Sequence, residues 1–173
     1  MWHGAAHPTI GAPVSTINGL PAHILLVHFI VVLAPLTAVL AILAAVARPV
    51  RSRLVWLIAV SAALTLILTP LTTDAGEWLE KRVPRSPEVH AHTELGDAMI
   101  YFSVALAVVA ALVVAVHLRE RRGGSVRHPF TIAVAVLAIV VGGATIVQVY
   151  RIGESGARAT WSDVPAAGVE SSE

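Results

Sequence analysis

The sequence predicts an all-α membrane protein, a bundle of four transmembrane helices arranged as two hairpins. Of its 173 residues, 56% are hydrophobic and only 13% are charged, whereas a soluble domain carries about a quarter charged residues. The apolar residues also fall in four separate blocks of roughly twenty residues, the length at which a helix crosses a hydrocarbon core. Helices are expected because the backbone finds no water in that core and four strands cannot close a barrel.

Prolines and arginines delimit the four predicted spans. Pro21 and Pro129 stand where the first and fourth helices would begin, a position at which the missing N–H costs little, and Arg48-Pro49 closes the first span. Residues 1–161 are expected to form one domain, and the polar residues 162–173 a disordered tail. The predicted spans are residues 22–47, 54–73, 97–118 and 129–150.

The basic residues predict how the bundle lies in the membrane. The short linkers after the first and third spans carry seven of the twelve Lys and Arg residues, against five in the rest of the chain. The positive-inside rule therefore places both linkers in the cytoplasm. Each hairpin then runs out-in-out, and both termini are expected on the outer face of the membrane.

The composition also narrows the function. The absence of cysteine excludes disulfides, thiolate metal sites and covalent c-type haem. A net charge of +1 gives no indication of nucleic-acid binding. No nucleophile motif, phosphate loop or nucleotide fingerprint is present, so a stand-alone catalyst is not favoured and no catalytic residue is predicted. Any metal would have to be held by histidine, carboxylate or carbonyl groups.

Histidines concentrate at the predicted outer end. His28 is the most informative of them, since an ionisable residue one to two turns inside a span is costly and is a functional candidate. The structural alternative is a neutral histidine bonded to a carbonyl. His23 lies roughly 140° away around the same helix. His90 and His92 precede the third span, where they share a face if the segment is extended and diverge if it is helical.

The two halves of the chain resemble each other weakly. Each is a hairpin with arginines in its turn and histidines near its entry, and each leaves the membrane through Gly-Glu, at Gly76-Glu77 and at Gly153-Glu154. A pseudo-two-fold bundle would bring these entry and exit groups together.

Four short motifs carry a family resemblance. INGLPAHILLVH, DAGEWLE, HTELGD and RIGESGARATW, in this order around the helices, resemble the bacterial membrane family catalogued as domain of unknown function 2231, from Ile17 to Trp161. The resemblance implies a four-helix domain of the bacterial cytoplasmic membrane. It also implies a redox setting, since some members are joined to Rieske-type iron–sulfur or cytochrome-like domains. The polar positions it carries over are His23, His28, Glu77, His92 and Glu154.

One of these positions departs from the family's pattern. Members usually carry histidine where this chain has Glu154. A haem or metal site that needed this histidine would be altered here, either to carboxylate ligation or to no site.

Three functions are compatible with the outer cluster. The first is a b-type haem with His28 and His92 as axial ligands and His23 as a further candidate, in a protein that transfers electrons within a respiratory or other redox complex. The second is a divalent-metal site of His28, His92, Glu77 and Glu154. The third is a cofactor-free accessory subunit of a membrane complex, with these groups as a polar cap. Each is compatible with a homo-oligomer, and in each the lipid bilayer is a partner.

Overall fold

The protein, seen in a computed structural model that describes residues 16–17, 20–124 and 126–161, is a bundle of long helices. Four helices of the described chain are long and apolar enough to cross a membrane, α3 and α4 together forming the third, which confirms the predicted four-helix bundle. The proposed tail, 162–173, lies outside the described residues. Two short strands, β1 (Thr16–Ile17) and β2 (Leu20–Pro21), pair antiparallel and are followed by α1 (Ala22–Val46), α2 (Arg48–Glu80), α3 (Pro87–Asp97), α4 (Met99–Arg121) and α5 (His128–Trp161).

The helices form two hairpins, α1 with α2 and α3–α4 with α5. Helix α1 packs mainly against α2 and α5, and α4 packs against the same two helices, so α1 and α4 are diagonal in the bundle. We call the end at which α1 and α3 begin the histidine end, and the end at which α1 and α4 finish the arginine end. Which end faces the cytoplasm stays a prediction.

Small residues hold the bundle together. Ala38, Ala41 and Ala44 of α1 are fully buried. At Gly142 of α5, a Cβ would lie 2.7 Å from Cδ1 of Ile42, so glycine lets the two helices approach. Lipid tails are as apolar as leucine, and close packing of small residues is therefore what favours helix association in a membrane. Large apolar side chains point outward instead, among them Phe29, Val32, Trp56, Ile67 and Val140.

Helices α2 and α5 extend beyond the predicted spans, 54–73 and 129–150. The predicted linker 48–53 is helical, because α2 begins at Arg48 with Pro49 in its first turn, where no N–H is needed. Helix α5 continues to Trp161. The length of an apolar run reports the thickness of the hydrocarbon and not the end of the helix. The predicted spans therefore stop where polar residues begin, although both helices continue.

The segment before the third span is also helical. Ser86 caps α3, its Oγ accepting a hydrogen bond from the Val89 N–H at 3.2 Å, and Pro87 opens the first turn. His90 and His92 therefore diverge. His90 is exposed, with Nε2 3.4 Å from Oε1 of Glu94, and His92 faces the interior of the histidine end.

A partly buried ion pair closes the arginine end. Arg51 is 6% exposed, and its guanidinium donates to both carboxylate oxygens of Glu120, from Nη2 at 2.7 Å and from Nε at 3.2 Å. Its Nη1 donates to the Ala44 carbonyl at 2.7 Å. One side chain thus joins the last turn of α1, the first turn of α2 and the last turn of α4.

Candidate cofactor site at the histidine end

Two histidines from diagonal parts of the bundle meet at the histidine end. His23 lies in the first turn of α1, and His92 lies in α3, ahead of the apolar run of α4. Their ring centroids are 6.3 Å apart and the ring planes cross at 87°. Both side chains are partly buried. The bundle therefore brings one imidazole from each hairpin to a common point.

The tautomer of His23 follows from its hydrogen bond. Its Nδ1 lies 2.9 Å from the Thr72 carbonyl oxygen of α2. A carbonyl oxygen only accepts, so Nδ1 must carry the hydrogen and donate it. In the neutral ring the lone pair then belongs to Nε2.

His92 reaches the same state through a hydroxyl. Its Nδ1 lies 3.0 Å from Ser155 Oγ of α5, and that hydroxyl donates its only hydrogen to the Ile152 carbonyl at 2.9 Å. With the hydroxyl hydrogen on the Ile152 carbonyl, Ser155 Oγ accepts from Nδ1, which again leaves the lone pair on Nε2. Burial lowers the pKa of His92, nearby His23 lowers that pKa further, and the Ile152 backbone raises it by a smaller amount. The net lowering favours the neutral ring, the form that binds metals.

A glycine lies against each of these rings. A Cβ at Gly76 of α2 would lie 3.0 Å from Cε1 and Nδ1 of His23, and one at Gly156 of α5 would lie 3.0 Å from Cε1 of His92. Both distances are shorter than an ordinary carbon contact of about 3.5–4.0 Å. Each hairpin thus contributes a histidine, a hydrogen-bond acceptor for its Nδ1 and a glycine that leaves room for its ring.

The two histidines line a cavity of about 630 Å³ among α1, α2, α3, the start of α4 and α5. This volume is typical of sites that bind small organic molecules and cofactors. Carboxylates, including Glu77 and Glu80, contribute to its polar part. Its apolar lining includes Ile24, Val27, Ile30, Met99 and Ile152.

The structure does not bring His28 to this site. His28 is exposed on the outer surface of α1, and its Nδ1 is hydrogen-bonded to the carbonyl of Ile24 in the preceding turn. The expected pairing of His28 with His92 is therefore not formed. The reason is angular: His23 faces the interior, and a residue five positions later lies roughly 140° around the helix.

The two predicted acidic ligands are also separated from each other. Glu77 lines the cavity, with Oε2 3.8 Å from Nζ of Lys81. Glu154 is exposed and bonded to Nη2 of Arg158 at 2.6 Å, and it does not line the cavity. The set of His28, His92, Glu77 and Glu154 is thus not assembled, and no three His, Asp or Glu residues in the described part of the chain could hold a metal.

Sequence reasoning missed the residues that support the two rings. Gly156, and not Gly153, is the counterpart of Gly76, because it is the glycine that contacts a histidine. Ser155 gave no signal in the sequence. Thr72 belongs to a threonine stripe with Thr65 and Thr69 that could bond across helices, but its contact with His23 uses the backbone carbonyl, which the pattern of side chains does not predict.

Residues 19–167 match the family of predicted membrane proteins designated domain of unknown function 2231, and the chain belongs to this family. This confirms the resemblance carried by the four motifs. No curated protein matches the chain significantly, and neither does any solved structure.

Proposed function

We propose that this member of the family is a b-type haem protein that transfers single electrons, and that His23 and His92 would hold the haem. The observation that carries the proposal is the pair of facing hairpins whose imidazoles stand 6.3 Å apart between centroids. A single iron held by both imidazoles, at metal–nitrogen distances of about 2 Å, would require ring centroids roughly 6 Å apart.

The tautomers support the same assignment. Hydrogen bonds engage Nδ1 of both rings, and among the described residues no hydrogen bond engages either Nε2. Histidines that bind metals commonly donate the second ring N–H to a carbonyl or another acceptor, which fixes the ring and raises its basicity. Thr72 and Ser155 fill this role here.

The number of ligands favours haem over a bare metal ion. A porphyrin supplies four nitrogens of its own, so two histidines complete the coordination of its iron. A divalent ion such as zinc takes three or four ligands from the protein, and no such group is present among the described residues.

The protein's residues would orient the group and shield it from water. His23 and His92 would hold the iron, and apolar side chains such as Ile30 and Met99, which line the cavity, would exclude water from it. The two glycines leave space beside the rings. Bound haem supplies one-electron chemistry at a potential set by its axial ligands and by the polarity around it. Such a protein would exchange electrons with a partner in a redox membrane complex.

The proposal is tested by an absorption spectrum of the full chain, purified in detergent from haem-replete cells, before and after dithionite. We expect a Soret band, with sharpened α and β bands on reduction and about one haem per chain. A flat visible spectrum, even after hemin is added to the purified protein, would contradict the proposal and favour the cofactor-free accessory subunit.

A further inference from the structure

A second cavity lies at the arginine end, far along the bundle from the histidine pair. It is a groove of about 790 Å³ between the last turns of α4 and the start of α5. Three arginines line it, Arg119 from α4, Arg122 from the turn directly after α4 and Arg127 from the segment that leads into α5, and no carboxylate does.

The turn between the two helices gives the groove its shape. Gly123 adopts a positive φ of 72°, a conformation that side chains disfavour. Gly124 then donates its N–H to the Arg119 carbonyl at 3.1 Å. A Cβ at Gly124 would lie 3.2 Å from Cγ of Arg119, so the arginine stem packs directly on this glycine. The turn thereby positions Arg119 along one wall.

The positive charge of this groove is not neutralised within the described chain. Arg119, Arg122 and Arg127 form no salt bridge with any described carboxylate. Glu120, the neighbouring acid, is directed to Arg51 and Arg48 instead. Three arginines around one concave surface provide planar donors suited to the oxygens of a phosphate.

The remaining wall of the groove is apolar. Leu118, Val126 and Phe130 line it beside the arginines, and Phe130 is 45% exposed. This surface combines arginine hydrogen-bond donors for a phosphate with apolar side chains, at the end of a membrane-spanning bundle. It therefore fits an amphiphile better than a soluble anion. Basic pockets between helices at the membrane surface bind anionic lipid head groups.

We infer that this groove binds the head group of an anionic phospholipid, with the arginines on its phosphate and the apolar wall against its acyl chains. The site belongs to the annular surface of the protein and does not depend on the histidine pair. Its ligand is a phosphodiester lipid from the leaflet that contacts the arginine end.

The test is native mass spectrometry of the full chain in detergent, titrated with dioleoyl-phosphatidylglycerol. The variant Arg119→Gln/Arg127→Gln removes one charge from each side of the groove. The matched control, Arg53→Gln/Arg121→Gln, removes two exposed arginines of the same end that do not line the groove. Dioleoyl-phosphatidylcholine and inorganic phosphate are titrated in parallel.

We expect the groove variant to weaken phosphatidylglycerol binding by about 25-fold, since each arginine near an anionic lipid contributes about fivefold, and the control variant to bind like the wild type. The inference is overturned if both variants lose affinity equally, if neither does, or if phosphatidylcholine binds as tightly as phosphatidylglycerol. Binding of inorganic phosphate at the same concentrations would also overturn it, because the ligand would then be a free anion.

Discussion

At the scale of residues, the tautomer and the position of the two imidazoles depend on the groups that contact them. The Thr72 carbonyl and the Ser155 hydroxyl both accept from Nδ1, and Gly76 and Gly156 leave the space in which the rings stand. A change in either support should therefore alter the site without removing a histidine.

Gly156→Ala should lower the haem content of the purified protein about tenfold, the effect typical of altering a group that orients a metal ligand. The reason is that the added methyl would lie 3.0 Å from Cε1 of His92 and would displace the ring. Gly153→Ala is the matched control, because a Cβ there meets nothing within 4 Å. The measurement is the haem-to-protein ratio, and equal ratios in the two variants would argue against a positioning role for Gly156.

The residue scale is also where the sequence was least decisive. His23 and His28 occupy one helix with faces roughly 140° apart, and only one of them can face the interior. Their depth in the apolar run favoured His28, whereas packing against Gly76 selects His23. Hydropathy does not report which face of an almost wholly apolar helix turns inward.

At the scale of elements, the site is built partly on helix extensions that the apolar runs do not include. The predicted second and fourth spans end at residues 73 and 150, yet Gly76 lies on α2 and Ser155 and Gly156 lie on α5. The lengths of these helices depend on caps and packing beyond the hydrocarbon. The N-cap Ser86 followed by Pro87 is a sequence motif that indicates the start of α3, but no comparable motif in the sequence indicates where α2 and α5 end.

Helix ends also meet at the arginine end, at the ion pair of Arg51 and Glu120. The variant Glu120→Gln should lower the free energy of unfolding by about 1–2 kcal/mol at neutral pH, because it removes the charged hydrogen bonds to Arg51. Glu120 follows the apolar run of α4, which ends at Leu118. The Arg51 hydrogen bonds lower the pKa of this carboxyl, burial opposes the shift by raising that pKa, and the charges of Arg51 and Arg48 lower it further.

The pH dependence of this effect has a definite sign. A carboxyl whose pKa is lower in the folded state contributes stability above its unfolded pKa of about 4.3, and loses it as the pH falls through the folded pKa. The difference between wild type and Glu120→Gln in thermal unfolding should therefore shrink below about pH 4. Glu94→Gln, at an exposed acid whose one salt bridge among the described residues is with His90, is the control. A pH-independent difference, or an equal effect of the control, would show that Glu120 contributes through packing alone.

At the scale of the whole molecule, the four apolar blocks and low charge sufficed to predict the bundle, because a membrane admits few folds for such a chain. The weak likeness of the two halves predicted that Gly153 corresponds to Gly76, whereas the glycine that lies against a histidine ring in the second hairpin is Gly156. Each hairpin does supply a histidine, a hydrogen-bond partner for its Nδ1 and a glycine at the histidine end. The diagonal placement of α1 and α4 depends on helix packing. It could not be read from a single sequence.

The most direct test of the proposed haem ligation is the haem-to-protein ratio of three variants purified from haem-replete cells. His23→Ala and His92→Ala should each retain less than about a tenth of the wild-type haem, because each removes one of the two proposed haem ligands. His28→Ala should retain the wild-type content, since His28 faces outward from the bundle. Loss of haem in His28→Ala together with retention in His23→Ala would contradict the assignment and restore the pairing of His28 with His92.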